Sequence, residues 1–268
     1  GKSGLGSYGD FVMQTDNVVG EVSAALAKHG LADNTLVIFT SDNGCSKAAD
    51  IKGLAAKGHL VSAHLRGSKA DIWDGGHRIP FIVRWPGNVT PGTTSKQLIC
   101  LTDLFATAAQ IVGKEAPKTS CEDSVSFLPA LSGKPIESTR QGVIHHSYSG
   151  HFAYRTGPWK LILAKGSGGW SSPKENEVPQ GSLKAQLYDL DVDPGEQTNL
   201  YTSQPEVAAR LLSQLKIEVS GGRSTNGATS KNDTSSIVLW KSGSPSEPAD
   251  DRQNSNSKSS STKKRKKK

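Results

Sequence analysis

The stretch Thr35-Leu36-Val37-Ile38-Phe39-Thr40-Ser41-Asp42-Asn43-Gly44 decides the fold class. Its apolar and β-branched part is short and continuous, which is typical of a strand buried on both faces. Apolar residues recur at helical spacing between Tyr8 and His29, so the pattern predicts a helix before the strand. Together they form an α/β unit, and ligands in such sheets bind at the carboxyl ends of the strands.

Asp42 and Asn43 stand at this carboxyl end. Carboxylate and amide oxygens are hard ligands that suit Ca²⁺ or Mg²⁺. Gly44 lets the chain turn sharply after them. Taken alone, however, Asp-Asn-Gly is more often an ordinary turn than a metal site.

A second candidate, Lys69, lies in the glycine-flanked segment 66–78, which contains Gly67-Ser68-Lys69 and Asp74-Gly75-Gly76. Small residues allow the backbone to approach a ligand closely, and an ammonium group suits a compact oxyanion. A lone lysine is more often a solvated surface residue, so this segment decides nothing by itself.

Beyond these motifs the pattern predicts a strand over 79–85, a helix over 103–112 and an irregular loop over 45–66. After about residue 140 short strands predict a small antiparallel sheet, followed by a final helix over 204–219. The predicted divisions are a first domain over 1–135, a small-sheet subdomain with the final helix over 136–220, and a disordered basic tail over 221–268.

The net positive charge of the chain is concentrated in its tail. The 268 residues carry a formal charge of +7, but residues 1–220 hold 21 basic and 21 acidic residues. The excess lies in the tail, which ends in Lys263-Lys264-Arg265-Lys266-Lys267-Lys268. The body is therefore not a nucleic-acid-binding domain by charge. The three cysteines show no C-x-x-C spacing, which excludes a disulfide scaffold and a zinc knuckle, and no run of apolar residues is long enough for a membrane span.

In combination the motifs are far more specific. The segments Thr-Leu-Val-Ile-Phe-Thr-Ser-Asp-Asn-Gly, Leu-Arg-Gly-Ser-Lys and Trp-Asp-Gly-Gly-His-Arg-Ile-Pro-Phe-Ile-Val-Arg-Trp-Pro-Gly follow one another in residues 35–87. Their order resembles the second half of the arylsulfatase-type, formylglycine-dependent sulfatases, and the likeness extends over roughly residues 8–220. The resemblance implies an alkaline-phosphatase-like α/β fold: the second half of a mixed sheet flanked by helices, then a small antiparallel sheet with a carboxyl-terminal helix.

The resemblance also implies roles for particular residues. Asp42 and Asn43 match the family's later pair of ligands for a divalent cation, usually Ca²⁺, with Mg²⁺ as an alternative. Lys69 matches the lysine that contacts the substrate sulfate. His59, His64 and Arg66 fall where loops contact substrate, although an exposed histidine is more often a plain surface residue. His77 and Arg78 match a segment whose role looks structural.

The family's nucleophile, a Cys or Ser in Cys/Ser-x-Pro-x-Arg that becomes formylglycine, has no match in this sequence. The family's first pair of metal-binding aspartates is also missing. We therefore expect the chain to be the carboxyl-terminal portion of a sulfatase acting on aryl or carbohydrate sulfates. Alone, it should bind metal weakly and catalyse nothing, because Ca²⁺ takes about six to eight oxygen ligands.

Two other functions remain open at this point. One is a phosphatase or phosphodiesterase of the alkaline-phosphatase superfamily. The Asp-Asn pair and the Gly-Ser-Lys loop favour a sulfatase over this alternative. The other is a non-catalytic protein that binds polyanions through its basic tail. The resemblance further implies a secreted or periplasmic protein, no specific nucleic-acid partner and no membrane span.

Overall fold

A computed structural model describes residues 1–117, 119–137, 140–234 and 236–241. In chain order its helices and strands are α1 (Gly6–Lys28), β1 (Val37–Thr40), α2 (Ile51–Ala56), α3 (Asp74–His77), β2 (Phe81–Arg84), α4 (Asp103–Ile111), α5 (Leu128–Leu131), β3 (Val143–His146), β4 (Phe152–Thr156), β5 (Trp159–Ile162), β6 (Gln186–Asp189) and α6 (Pro205–Gly221). Every predicted helix and strand is present, with ends shifted by a few residues.

The first half of the chain corrects two predictions. β1 pairs with β2 in an antiparallel, two-stranded sheet, with Val37 opposite Arg84 and Thr40 opposite Phe81. All four residues of β1 are only half-buried, so the prediction of a strand buried on both faces is wrong. In the described residues β2 is its one strand partner, and α1 contains no buried residue. The second correction is that the predicted irregular loop 45–66 contains α2.

The second half of the chain forms a four-stranded antiparallel sheet in the order β3-β4-β5-β6. On one face of the sheet, Tyr154 and Leu161 pack against α6 through Ala208, Leu211 and Leu215, which recur at helical spacing. On the opposite face a second core is formed by Ile72, Trp73, Ala153, Ile162, Ala164, Tyr188 and Leu190. Because Ile72 and Trp73 belong to the segment 66–78, that segment lies directly on this sheet.

Part of the predicted tail packs against the body. The amides of Ser224 and Thr225 donate to the carbonyl of Glu122 at 3.2 and 3.0 Å. Ile237, Leu239 and Trp240 pack on the core that α6 shares with the sheet. The basic residues from 258 onward lie outside the described residues, and the predicted division into three units remains a prediction. Within the described chain, no helix is both long and apolar enough to cross a membrane.

Candidate active site

Backbone hydrogen bonds bring the two candidate motifs together. The amide of Gly44 donates to the carbonyl of Gly76 at 3.0 Å, and the amide of Lys69 donates to the carbonyl of Cys45 at 2.8 Å. The loop after β1, which carries Asp42 and Asn43, is thus joined directly to the segment 66–78. The separation in sequence is about 25 residues, but the two loops form one surface.

Close approach between these loops requires glycine. A Cβ atom on Gly44 would lie 1.8 Å from the carbonyl oxygen of Gly75. A Cβ on Gly75 would lie 2.3 Å from the carbonyl oxygen of Gly67, and one on Gly76 would lie 2.6 Å from that of Asp71. Because the obstructing atoms are backbone atoms, a side chain at Gly44 would push the two loops apart, and side chains at Gly75 or Gly76 would distort the segment 66–78.

The side chains of Asp42 and Asn43 have oxygens to offer a ligand. Asp42 is exposed, and its carboxylate makes no hydrogen bond or ion pair with the described residues. The Asn43 amide nitrogen donates to the carbonyl of Gly44 at 3.1 Å, which leaves its Oδ1 as the free acceptor. Lys69 is half-buried in the adjoining loop. No cluster of three or more His, Cys, Asp or Glu side chains suited to a metal occurs in the described part of the chain.

Asp71 fixes the segment that carries Lys69. Its carboxylate is fully buried and accepts hydrogen bonds from the amide of Ser68 at 2.8 Å and from the amides of Trp170 and Ser171 at 2.8 and 2.9 Å. The hydroxyls of Ser68 and Ser171 donate to it as well. A buried carboxylate with this many donors is fully satisfied and rigid. Lys69 therefore projects from a loop whose backbone is held on both sides.

A buried ion-pair network lies beneath the site. Lys160 is fully buried on β5, and its Nζ donates to Asp74 Oδ1 at 2.7 Å. The same Nζ lies 2.9 Å from Glu196 Oε1, in an ion pair without hydrogen-bond alignment. Glu196 Oε2 in turn accepts from the amide of Asp74 at 2.6 Å. The network anchors the first residue of α3 to the sheet.

The pKa values of the two carboxyl groups in this network are shifted in opposite directions. Burial opposes ionisation of Asp74, but the charges of Lys160, Arg155 and Arg78 together hold the pKa of its carboxyl below the usual value. Burial raises the pKa of Glu196, and the neighbouring Asp74 charge adds to this rise against the attraction of Lys160. Asp74 is therefore the carboxylate that carries the negative charge most firmly.

The three residues predicted to contact substrate are Arg66, His59 and His64, and they differ in their surroundings. The Arg66 guanidinium stacks 3.7 Å above the Trp73 ring and donates to Tyr188 Oη at 3.3 Å and to the carbonyl of Glu196 at 2.8 Å. At least some N–H groups of Arg66 are therefore bonded within the protein. His59 and His64 are both exposed on the segment between α2 and Lys69. Substrate contact by these three residues stays a prediction.

His77 and His145 form a ring pair next to the network, with centroids 4.4 Å apart. The Nε2 atoms of both rings are buried and have no hydrogen-bond partner. Burial lowers the pKa of His77 to about 4, helped by the charge of Lys160. Burial, and to a smaller extent the charge of Lys160, also hold the pKa of His145 well below its usual value. Both imidazoles are therefore neutral at pH 7, which agrees with the structural role expected for His77.

Sequence reasoning missed the residues that hold the site in place. They are Asp71, Asp74, Lys160 and Glu196. Asp74 contacts Glu196 across 122 residues and Lys160 across 86, so these pairings depend on tertiary contacts. One signal was available for Lys160, because it stands between the apolar residues Trp159 and Leu161 in a predicted strand. A lysine in a buried strand requires a buried acidic partner.

Comparison with known proteins agrees with this architecture. The sulfatase family profile matches residues 2–114, and the profile described as "N-sulphoglucosamine sulphohydrolase, C-terminal" matches residues 68–223. The second match covers more than half of the chain. The chain therefore belongs to the sulfatase family, whose members are sulfuric ester hydrolases.

Individual relatives place the chain within that family. An N-acetylgalactosamine-6-O-sulfatase of Bacteroides thetaiotaomicron is 36% identical over 218 residues, which are 80% of this chain and 42% of the relative. Human arylsulfatase A is 34% identical over 226 residues, which are 80% of this chain and 43% of the relative. A solved structure from a Bacteroides thetaiotaomicron locus for glycosaminoglycan metabolism superposes with a TM-score of 0.67 at 33% identity, over 81% of this chain and 45% of that one.

These matches confirm the predicted family and, at the level of a sulfatase-like α/β fold, the predicted fold class. They favour a sulfatase over the phosphatase alternative, since both matching profiles are those of sulfatases. The chain spans less than half of the length of these relatives.

Proposed function

We propose that this chain supplies the carboxyl-terminal part of a sulfatase that hydrolyses aryl or carbohydrate sulfate esters. In this proposal Asp42 and Asn43 ligate a divalent cation, Ca²⁺ or Mg²⁺, and Lys69 contacts the sulfate. The observation that supports it is the direct backbone bonding of the two loops that carry these three residues, Gly44 to Gly76 and Cys45 to Lys69. The proposal includes export from the cell, to the periplasm or the exterior.

The donor set fits a hard cation. Asp42 has a carboxylate that is free of partners among the described residues, and Asn43 has a free amide oxygen. Both are oxygen ligands, which Ca²⁺ and Mg²⁺ prefer over nitrogen and sulfur. Two ligands fill only part of the coordination shell, so the proposal assigns the remaining ligands and the formylglycine nucleophile to further sequence of the enzyme. The bound cation would supply Lewis-acid stabilisation of charge on the sulfate oxygens.

The work of this chain is to orient the sulfate group. The Lys69 ammonium offsets charge on a sulfate oxygen as the ester bond breaks. The backbone that carries this side chain is held, because Asp71 accepts from the Ser68 amide and the Lys69 amide is bonded to Cys45. A held backbone reduces the rearrangement that this loop undergoes when the transition state forms.

The surface of α1 supports the assignment to a larger domain. Five apolar side chains of this helix are exposed, namely Phe11, Val12, Met13, Val18 and Val22. Exposed apolar patches of this kind mark surfaces that pack against further protein. In the proposal further sequence of the catalytic domain packs around α1.

The first test reads the coding sequence upstream of Gly1. The proposal expects, in frame, a Cys/Ser-x-Pro-x-Arg motif and a pair of aspartates. If such sequence is present, the extended chain should hydrolyse an aryl sulfate. Replacing Lys69 by Met should then lower kcat/KM by about 100-fold, the usual cost of one transition-state donor.

The matched control is Lys52→Met, which removes an exposed ammonium from α2 and should leave kcat/KM unchanged. Upstream sequence that lacks both motifs would contradict the proposed catalytic role. An extended, active enzyme that is unaffected by Lys69→Met would contradict the assignment of Lys69.

A further inference from the structure

We propose that Tyr148 and Trp170 form an aromatic subsite that binds the ring of a sulfated sugar while Lys69 binds its sulfate. The proposal rests on the proposed function, because it takes Lys69 as the sulfate contact. It adds the part of the substrate that the Lys69 loop does not reach, and it assigns the recognition of that part to the small-sheet half of the chain.

The first aromatic residue is fixed directly to the Lys69 loop. The amide of Tyr148, which follows β3, donates to the carbonyl of Ala70 at 2.9 Å. Ala70 is the residue after Lys69 and has a φ of 80°, a left-handed conformation that costs energy for any residue but glycine. Strained backbone of this kind is retained where the surrounding contacts enforce it, and it is concentrated at functional sites.

The second aromatic residue is held by the same loop. The amide of Trp170 donates to Asp71 Oδ1 at 2.8 Å, and the Lys47 ammonium donates to the Trp170 carbonyl. A Cβ on Gly169 would lie 2.3 Å from the carbonyl oxygen of Ala70, so the two backbones are in close contact. The loop before Trp170 is thus pressed against the segment that carries Lys69.

The two rings lie side by side at the surface. Their centroids are 5.5 Å apart and their planes are inclined by 54°. Tyr148 is 74% exposed and Trp170 is half-buried. A large aromatic ring left in water beside a polar site is typical of ligand-binding surfaces, where it offers apolar area with little loss of conformational entropy.

The chemistry of this surface fits a sulfated pyranose. The C–H face of a sugar ring is apolar and packs on an aromatic face, whereas its sulfate group needs a cation. Two cations accompany the rings, since Lys69 lies in the adjoining loop and Lys47 reaches the Trp170 carbonyl. The relative that is 36% identical is an N-acetylgalactosamine-6-O-sulfatase, so a sugar sulfate is the substrate class most consistent with both rings and charges.

Three ligands separate ring binding from sulfate binding. Galactose 6-sulfate has both groups, methyl sulfate has only the sulfate, and galactose has only the ring. Saturation-transfer NMR on the whole chain detects millimolar affinities and reports which ligand protons contact the protein. The variants are Tyr148→Ala, Trp170→Ala and the milder Trp170→Leu. Phe11→Ala, which removes an exposed ring on α1, is the matched control.

We expect saturation of the sugar-ring protons in the wild-type chain. The Tyr148 and Trp170 variants should weaken galactose 6-sulfate binding by about three- to tenfold and change methyl sulfate binding by less than about twofold. Phe11→Ala should change neither. Lys69→Met should weaken both sulfated ligands.

Two results would overturn the aromatic subsite. One is an absence of galactose 6-sulfate binding to the wild-type chain. The other is that the aromatic variants leave this affinity unchanged or weaken methyl sulfate equally. Failure of the proposed function gives a different result, in which Lys69→Met changes neither sulfated ligand while the aromatic variants still weaken the sugar sulfate.

Discussion

Replacing Lys160 by Met should strongly destabilise the fold, because the Lys160 ammonium is shared by two buried carboxylates. Its Nζ lies 2.7 Å from Asp74 Oδ1 and 2.9 Å from Glu196 Oε1. Each contact is worth roughly 6 kcal/mol of Coulomb attraction at an effective dielectric constant of about 20. Burying the three charges offsets much of this attraction, but removing Lys160 leaves Glu196 without its ammonium partner and leaves Asp74 with Arg155 at 3.4 Å. The expected loss is about 3–5 kcal/mol of unfolding free energy.

Urea unfolding followed by tryptophan fluorescence measures this loss, since Trp73 packs in the core next to the network. Lys52→Met is the control, because Lys52 is exposed on α2 and its replacement should change the unfolding free energy by less than about 0.5 kcal/mol. Adding Glu196→Gln to Lys160→Met should recover part of the loss, because it removes the buried carboxylate that is left without its ammonium partner. A Lys160→Met variant that loses less than about 1 kcal/mol would refute the account of this network.

Two further perturbations test the site and its surroundings. Gly44→Ala should lower the unfolding free energy by about 1–3 kcal/mol, because its Cβ would meet the Gly75 carbonyl oxygen at 1.8 Å. The control is Gly20→Ala in α1, whose Cβ meets no atom within 4 Å, so this change should be neutral or stabilising. Equal urea midpoints for the two variants would contradict the close approach of the two loops. Acidification should destabilise the chain through His77, whose pKa lies at about 4 in the folded protein but near 6.5 when unfolded. The unfolded state then binds the extra proton, so this contribution is lost as the pH falls from about 6.5 to about 4. The slope of stability against pH in this window should be smaller in His77→Gln, and an identical slope would show that His77 is not buried in neutral form.

Local sequence patterns predicted the helices and strands well, because amphipathic spacing and turn residues are local signals. The helix predicted over 204–219 is α6, and Ala208, Leu211 and Leu215 are buried where it packs on the sheet. The burial of β1 was not predictable in this way. A continuous apolar run indicates how much a strand could bury, whereas its neighbours decide how much it does.

For the candidate site, too, only the residues with a local sequence signal could be predicted. Asp42, Asn43 and Lys69 were predicted as site residues because their motifs are contiguous, and the structure places their loops side by side. The residues that support them depend on distant partners, as Asp74 does on Lys160 and Asp71 on Trp170. Contacts of a buried carboxylate with a partner 86 or 99 residues away have no signature in a local window. The aromatic pair Tyr148–Trp170 was missed for the same reason.

The measurement that tests the central claim most directly is a paired titration of the whole chain with Ca²⁺ and sulfate, followed by the backbone amide signals. The account predicts shifts at Asn43 with Ca²⁺ and at Lys69 with sulfate. It also predicts that each ligand tightens the other, because cation and anion share one surface. Asp42→Asn should weaken the response to Ca²⁺, and the same change at the exposed Asp16 of α1 should not. If Asn43 does not respond to Ca²⁺, or the two ligands bind without mutual effect, these loops do not form one site.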